Sequence, residues 1–277
     1  MDKILGLGTA GCNIASCFEK YPQYVVRKVD CERKEEDNYI CIIKQDSPEN
    51  YELFCPNLQH QLEALHGDLL FIVSGASLIS GAALSLLSQL KDMCSISVLY
   101  IKPGNVPLHG VKKKQENAVY NIFQEYARSG VFKQLYVVDN SCLESILEDV
   151  PVVGYYDKLN DLIVSTIHMI NVLDNTDPVA STFCEIGEAS RICTFAISNM
   201  DGSEKTFFPL DNVVEKRYYY AIPEERLKTD GTILKMIRQN LNDAEGATYA
   251  IYESTYDSEY VYGILRSNLI QKDEKSV

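Results

Sequence analysis

Short, mostly apolar stretches, at residues 3–7, 68–74 and 95–101, alternate with stretches whose apolar residues recur every three or four positions. The first pattern marks strands buried on both faces, the second amphipathic helices. The strand at 3–7 leads into a helix over 12–19, and further strands follow at 24–29 and 40–44. Leu58, Leu62 and Leu65 predict a helix ahead of the strand 68–74, and a small, leucine-rich helix over 80–90 separates that strand from 95–101. Val119, Ile122, Phe123 and Tyr126 share helical spacing within 111–129, Gly130 stops that helix, and a strand at 134–138 closes the series. This rhythm predicts an α/β, Rossmann-like domain with a mostly parallel sheet and helices on both faces.

From Tyr155 onward the pattern changes. Helices are expected at 157–172 and 178–189, then strands at 192–198, 218–222, 248–254 and 260–266, with one helix at 232–241. Strands grouped with few helices predict a smaller α+β domain. The expected division is a first domain over 1–154, a central helix and loop over 155–176, a second domain over 177–270 and a polar, frayed tail over 271–277.

Composition narrows the class. A chain of 277 residues, 46% hydrophobic, can bury the cores of two closely associated domains. Its net charge of −13 argues against a general nucleic-acid binder, because phosphate backbones select basic surfaces. The nine cysteines are odd in number and never spaced CxxC, so reduced thiols in a cytoplasmic protein are expected rather than disulfides or a zinc site. The N-terminus has no signal-peptide layout, and no apolar run approaches the roughly 18–20 residues of a membrane helix.

Candidate chemistry begins at Gly6-Leu7-Gly8-Thr9-Ala10-Gly11, a GxGxxG between a strand and a helix. Glycines let a phosphate approach the backbone, and the helix start supplies unpaired N–H donors. Asp30, 19 residues past Gly11, stands where a dinucleotide fold places the acid that holds a ribose. Three readings fit these residues: a dinucleotide site, a phosphate loop of another nucleotide fold, and a tight turn with no ligand.

Four later segments, taken in order, resemble the tubulin/FtsZ family. Gly11-Cys12-Asn13 is similar to the family's first nucleotide loop, and Val138-Asp139-Asn140 to the strand end whose Asn reads guanine. Tyr156, Asn160 and their neighbours resemble the start of the central helix, where a ring stacks on the base and an Asn one turn later bonds it. Asp174-Asn175-Thr176-Asp177 resembles the synergy loop, whose acids act on the nucleotide of the next subunit. The family's GGGTGTG loop falls on Gly75-Ala76-Ser77-Leu78-Ile79-Ser80-Gly81. Here the end glycines and Ser80 match, whereas Leu78 and Ile79 add bulk and Ile79 resists positive φ.

The resemblance implies a guanine-nucleotide protein that assembles head to tail with copies of itself. Gly8, Thr9, Ala10, Gly11, Gly75, Ser80 and Gly81 would hold the phosphates of GTP or GDP with Mg²⁺. Asn13, Asn140, Tyr156 and Asn160 would hold guanine, and Asp174 and Asp177 would serve the neighbouring subunit's site. The altered loop predicts slow or lost hydrolysis. Two alternatives stand beside this: a non-hydrolysing structural or regulatory protein of the same fold, and an NAD-dependent oxidoreductase resting on GxGxxG and Asp30. Blander readings also fit single residues: helix-start acids for Asp174 and Asp177, a turn former for Asn140, and a solvated helix face for Lys112–Lys114.

Overall fold

A computed structural model of the chain describes residues 1–241 and 246–272. The packing divides into two compact units, residues 1–164 with 270–277, and residues 165–269.

In the first unit the strands are β1 (Lys3–Leu7), β2 (Val25–Asp30), β3 (Tyr39–Cys41), β4 (Gly67–Ser74), β5 (Cys94–Lys102) and β6 (Gln134–Asp139), in spatial order β3-β2-β1-β4-β5-β6. All five pairings are parallel, so Leu5 lies beside Arg27 on one side and Phe71 on the other. Leu69–Val73 of β4 are wholly inaccessible, as an unbroken apolar run between two helical layers requires.

The helices are α1 (Gly8–Cys17), α2 (Pro48–Leu53), α3 (Ala83–Leu90), α4 (Val111–Arg128), α5 (Asn140–Leu147) and α6 (Tyr155–Asp174), and the unit boundary falls inside α6. On α4 the buried face is Val119, Tyr120, Phe123 and Ala127, and Gly130 at φ 80° ends the helix. Ile122 and Tyr126 are exposed, one position off the stripe expected of them.

Where a helix was expected over Leu58–Leu65 there is only a 3-10 turn at Glu63–Leu65, although all three leucines are buried. The helix at Pro48–Leu53 is capped instead by Ser47, whose hydroxyl accepts from Asn50 N at 3.2 Å, with proline in the first turn. The chain end is also tied down at its start. Gln271 is buried, its N–H bonds Gln124 Oε1 at 2.6 Å, and Gln124 Nε2 donates back to its carbonyl at 3.2 Å. The rest of the expected frayed tail, 273–277, lies outside the described residues.

The second unit contains β7 (Ala180–Ser181), β8 (Ile192–Ser198), β9 (Glu204–Thr206), β10 (Val213–Pro223), α7 (Glu224–Thr229), α8 (Ile233–Leu241), β11 (Ala247–Ser254) and β12 (Tyr260–Ser267). Its strands run β8-β12-β10-β11-β7, with β9 on β8; only β10 and β11 are parallel, the arrangement that needs a crossover, and α7 and α8 lie in it. Alternation along β10 sets two faces. Tyr218, Tyr220 and Ile222 pack with Ile233 and Ile237 of α8, while Tyr219 turns the other way and stacks on Tyr252 at 6.3 Å.

The helix expected over 178–189 is absent. Val179 N bonds Ile251 O at 2.7 Å and Thr182 N bonds Tyr249 O at 2.8 Å, so this segment covers the free edge of β11 as β7. β-branched Val179 and Thr182 favour that outcome, and Pro178 sits just ahead of the strand, where its missing N–H costs no ladder bond.

Candidate functional site

The first glycine loop follows β1 directly. A Cβ at Gly6 would lie 2.4 Å from Gly11 O, and one at Gly11 would lie 2.4 Å from Ile72 O. These two glycines therefore allow α1 to start hard against β4. Gly8 opens α1 at φ 69°, and the preceding Leu7 gives no side-chain cap, which leaves the first-turn N–H groups without a side-chain acceptor. Thr9 Oγ1 donates to Asp30 Oδ2 at 3.1 Å, and Cys31 N donates to Asp30 Oδ1 at 2.7 Å. One Asp30 oxygen thus ties the start of α1 and the other serves its own strand end.

The second loop, between β4 and α3, is closed on itself. Ser80 Oγ donates to Gly75 O or Ser77 O, at 3.0 and 2.6 Å, and accepts from Gln115 Nε2 at 3.1 Å; Ser80 N bonds Ser77 O at 3.1 Å. Its glycines are fixed by packing. A Cβ at Gly75 would collide with the Tyr100 hydroxyl at 2.0 Å, and one at Gly81 with Pro48 O of α2 at 2.1 Å. Ile79 is 3% exposed, and its Cγ2 stands 2.7 Å from where Gly8 would carry a Cβ. The two loops border a cavity of about 430 Å³ lined by Gly8–Ala10, Asp30, Ala76–Ile79, Lys44 and Lys112.

A second cavity, of about 340 Å³, lies past β5 and β6. Asn140, Ser141, Glu144, Tyr155 and Tyr156 line it with the loop 103–107. Asp139 caps α5 by accepting from Ser141 N at 2.8 Å, which sets Asn140 at the helix entry. The rings of Tyr155 and Tyr156 meet edge to face at 5.1 Å, and Tyr156 is 57% exposed. Burial raises the Tyr155 pKa, with Glu144 adding to the effect.

On the other side of that loop is a cavity of about 270 Å³, lined among others by Lys102, Lys113, Glu116 and Asn117. Lys102 Nζ pairs with Glu116 Oε1 at 2.9 Å in near-complete burial and lies 4.0 Å from the Tyr120 ring centroid. The Tyr100 hydroxyl donates to Glu116 at 3.2 Å. Buried charge needs such pairing.

In the second unit, Asp174 is an exposed residue at the end of α6, with its carboxylate packed beside the Tyr219 face of β10. Tyr219 donates to its carboxylate, and Arg217 and Arg266 favour its charge, yet protein packed around it still raises its pKa, although the residue keeps solvent contact. Arg266 is buried, with Nε 3.7 Å from Glu215 and Nη1 donating to Cys193 Sγ at 3.4 Å. Burial pushes the Cys193 thiol up to about 11. Arg217 bonds Glu215 at 3.1 Å and the Cys184 carbonyl, and lies 5.0 Å over the Phe183 ring. Asp177 is exposed.

No family model and no curated protein sequence matches the chain. Solved structures do. CetZ2 from Haloferax volcanii, determined as a GTPγS-bound protofilament, superposes with a TM-score of 0.71 at 15% identity, covering 96% of this chain and 92% of that one. TubZ of type III plasmid segregation gives 0.71 at 16% identity over 96% and 87%. FtsZ W319Y from M. jannaschii gives 0.68 at 12% identity over 96% and 90%. This chain has the tubulin/FtsZ fold.

On that fold, the predicted residues separate into groups. Gly8, Thr9 and Ala10 line one cavity, and Asn140 and Tyr156 share another. Gly11, in α1, and Gly75, Ser80 and Gly81, in the β4 loop, do not line the first cavity and engage neighbouring backbone or side chains. Asn13 is exposed on α1, and Asn160 is half-buried on α6; neither lines the cavities described. Sequence reasoning missed the Lys102–Glu116–Tyr100 network. A charged residue ending the apolar run of β5 was its one visible signal. Among the described residues there is no cluster of three or more metal-ligating His, Cys, Asp or Glu side chains.

Proposed function

We propose that this chain is a guanine-nucleotide-binding protein that assembles head to tail with copies of itself, with hydrolysis slow or lost. The observation that carries the reading is the placement of two cavities at the carboxyl ends of parallel strands. One lies past β1 and β4, with a helix start and two lysines; the other lies past β5 and β6, with an amide and an exposed tyrosine ring. Ligands of open α/β sheets bind along that edge. Phosphates suit the first cavity, where N–H dipoles and ammonium groups gather, and a purine suits the second, with a π face beside an amide. Asp174 and Asp177 resemble in sequence the family's synergy-loop acids, and open filaments follow from head-to-tail contacts of one surface with another.

The non-hydrolysing alternative is favoured by one specific feature, the burial of Ile79 against Gly8. The dinucleotide alternative keeps Asp30 in the cavity lining, although each of its oxygens already accepts one bond, from Thr9 and from the Cys31 N–H. Equilibrium binding of GTP, GDP, ATP and NAD, measured in parallel with Mg²⁺ present, tests the reading. Guanine nucleotides are expected to bind more tightly than ATP and NAD. Equal affinity for ATP and GTP sinks the guanine pocket, and selective NAD binding sinks the whole assignment.

A further inference from the structure

We infer that this site takes a nucleoside diphosphate and gives a third phosphate no added affinity, an inference that rests on the nucleotide reading above. Strand order sets the direction of the ligand. With the base past β6, the phosphate chain runs across the end of β5 toward β4 and β1. Two strand spacings, about 10 Å, separate β6 from β4. The phosphate farthest from the base is therefore the one that must enter between the loops of β4 and β1.

That space is where the chain departs from an anion cradle. Ile79 presents a methyl to Gly8 and is buried there. A branched apolar side chain gives a phosphate oxygen no donor and desolvates it. Ser80, the loop's one matching hydroxyl, spends its hydroxyl and its N–H on Gly75, Ser77 and Gln115. Gly81 leaves room for Pro48 rather than for a ligand. The remaining charge is modest: Lys44 and Lys112 face the cavity, but the Asp30 carboxylate is in the same lining and repels a terminal phosphate. The start of α1 and the two lysines can hold one phosphate group. On the β4 loop the Ser77 hydroxyl also lines this space, a single neutral donor beside the Ile79 methyl, too little to reward another. Nucleotide bound here would favour assembly through occupancy alone, without a triphosphate-specific state.

The test is calorimetric titration of the full chain, native and Ile79→Gly, with GDP and with a non-hydrolysable GTP analogue, each with Mg²⁺. Native protein is expected to bind GDP at least as tightly as the analogue. Ile79→Gly is expected to gain about tenfold for the analogue, about 1.4 kcal/mol, with GDP little changed. A native preference of about tenfold for the analogue overturns the inference, whether or not the variant folds, and leaves the nucleotide reading intact. A GDP preference that persists unaltered in folded Ile79→Gly also overturns it. Binding of neither nucleotide by the native chain removes the nucleotide reading itself.

Discussion

The two glycine loops of the first unit look alike in sequence and border one cavity, yet they differ in what they offer it. Gly6–Gly11 packs its outer glycines into the fold and leaves the start of α1 turned to a cavity. Gly75–Gly81 has a glycine at each end as well, but both accommodate neighbouring groups, Tyr100 and Pro48, and the loop's hydroxyl bonds its own backbone. A glycine marks a place where something comes close. Whether that something is a ligand or the protein itself depends on tertiary neighbours a motif does not contain.

The largest effect should come from the first loop. Gly11→Ala and Gly6→Ala each drive a Cβ into backbone at the β1–α1–β4 junction, and backbone held on two sides cannot give way. Each is expected to lose about 3 kcal/mol of stability in urea unfolding. Near-native stability in both would show that α1 can move off β4, and the contrast between the loops would weaken. Next comes Asn140→Ala at the second cavity. Loss of an amide that pairs with a base is expected to weaken guanine-nucleotide binding by about 1–3 kcal/mol with the fold intact. Unchanged affinity would place the base elsewhere. Gly81→Ala should be milder than the first pair, about 1–2 kcal/mol, because short α2 can shift as a unit away from the new methyl. A measured loss equal to that of Gly11→Ala would mean that α2 is as rigid as β4.

The same contrast explains what could be read in advance. The parallel sheet was legible because strands such as β4 and β5 carry short, dense apolar runs at their centres, the pattern of strands buried on both faces. The tyrosine-rich centre of β10 was legible in the same way, as the unbroken run Tyr218–Ile222, every residue of which is buried. The edge strand at Ala180–Ser181 was not, since Pro178 ahead of a run of mixed residues is an equally good helix entry, and only the open edge of β11 decides between them. Loops suffered most. Leu78 and Ile79 were recognisable as bulk out of place, yet nothing local revealed that Ile79 would lie on Gly8. Glu116 reads as one polar residue on an amphipathic helix, and its bond to Lys102 joins two elements distant in sequence.

Asp174 gives the smallest effect and carries the same question into the second unit. A carboxylate offered to a neighbouring molecule should be free at its own surface, whereas this one accepts from Tyr219 beside Arg217 and Arg266. Its pKa is nonetheless raised above the ordinary 3.8, burial being the largest cause. In the window from 3.8 up to that raised value the folded chain holds more proton than the unfolded chain, so stability falls as pH rises through it. Below the window both states are protonated and the full contribution is present. Asp174→Asn keeps an acceptor for Tyr219 and removes the charge that packing against β10 partly desolvates. Its melting temperature should match the native value below the window and lie slightly above it at neutral pH, with solvent contact keeping the gain small. A variant less stable than native at neutral pH would show that attraction to the two arginines outweighs burial. In that case Asp174 is held as an ionised tie between α6 and β10, and Asp177, exposed and without that anchorage, becomes the acid to test at a subunit contact.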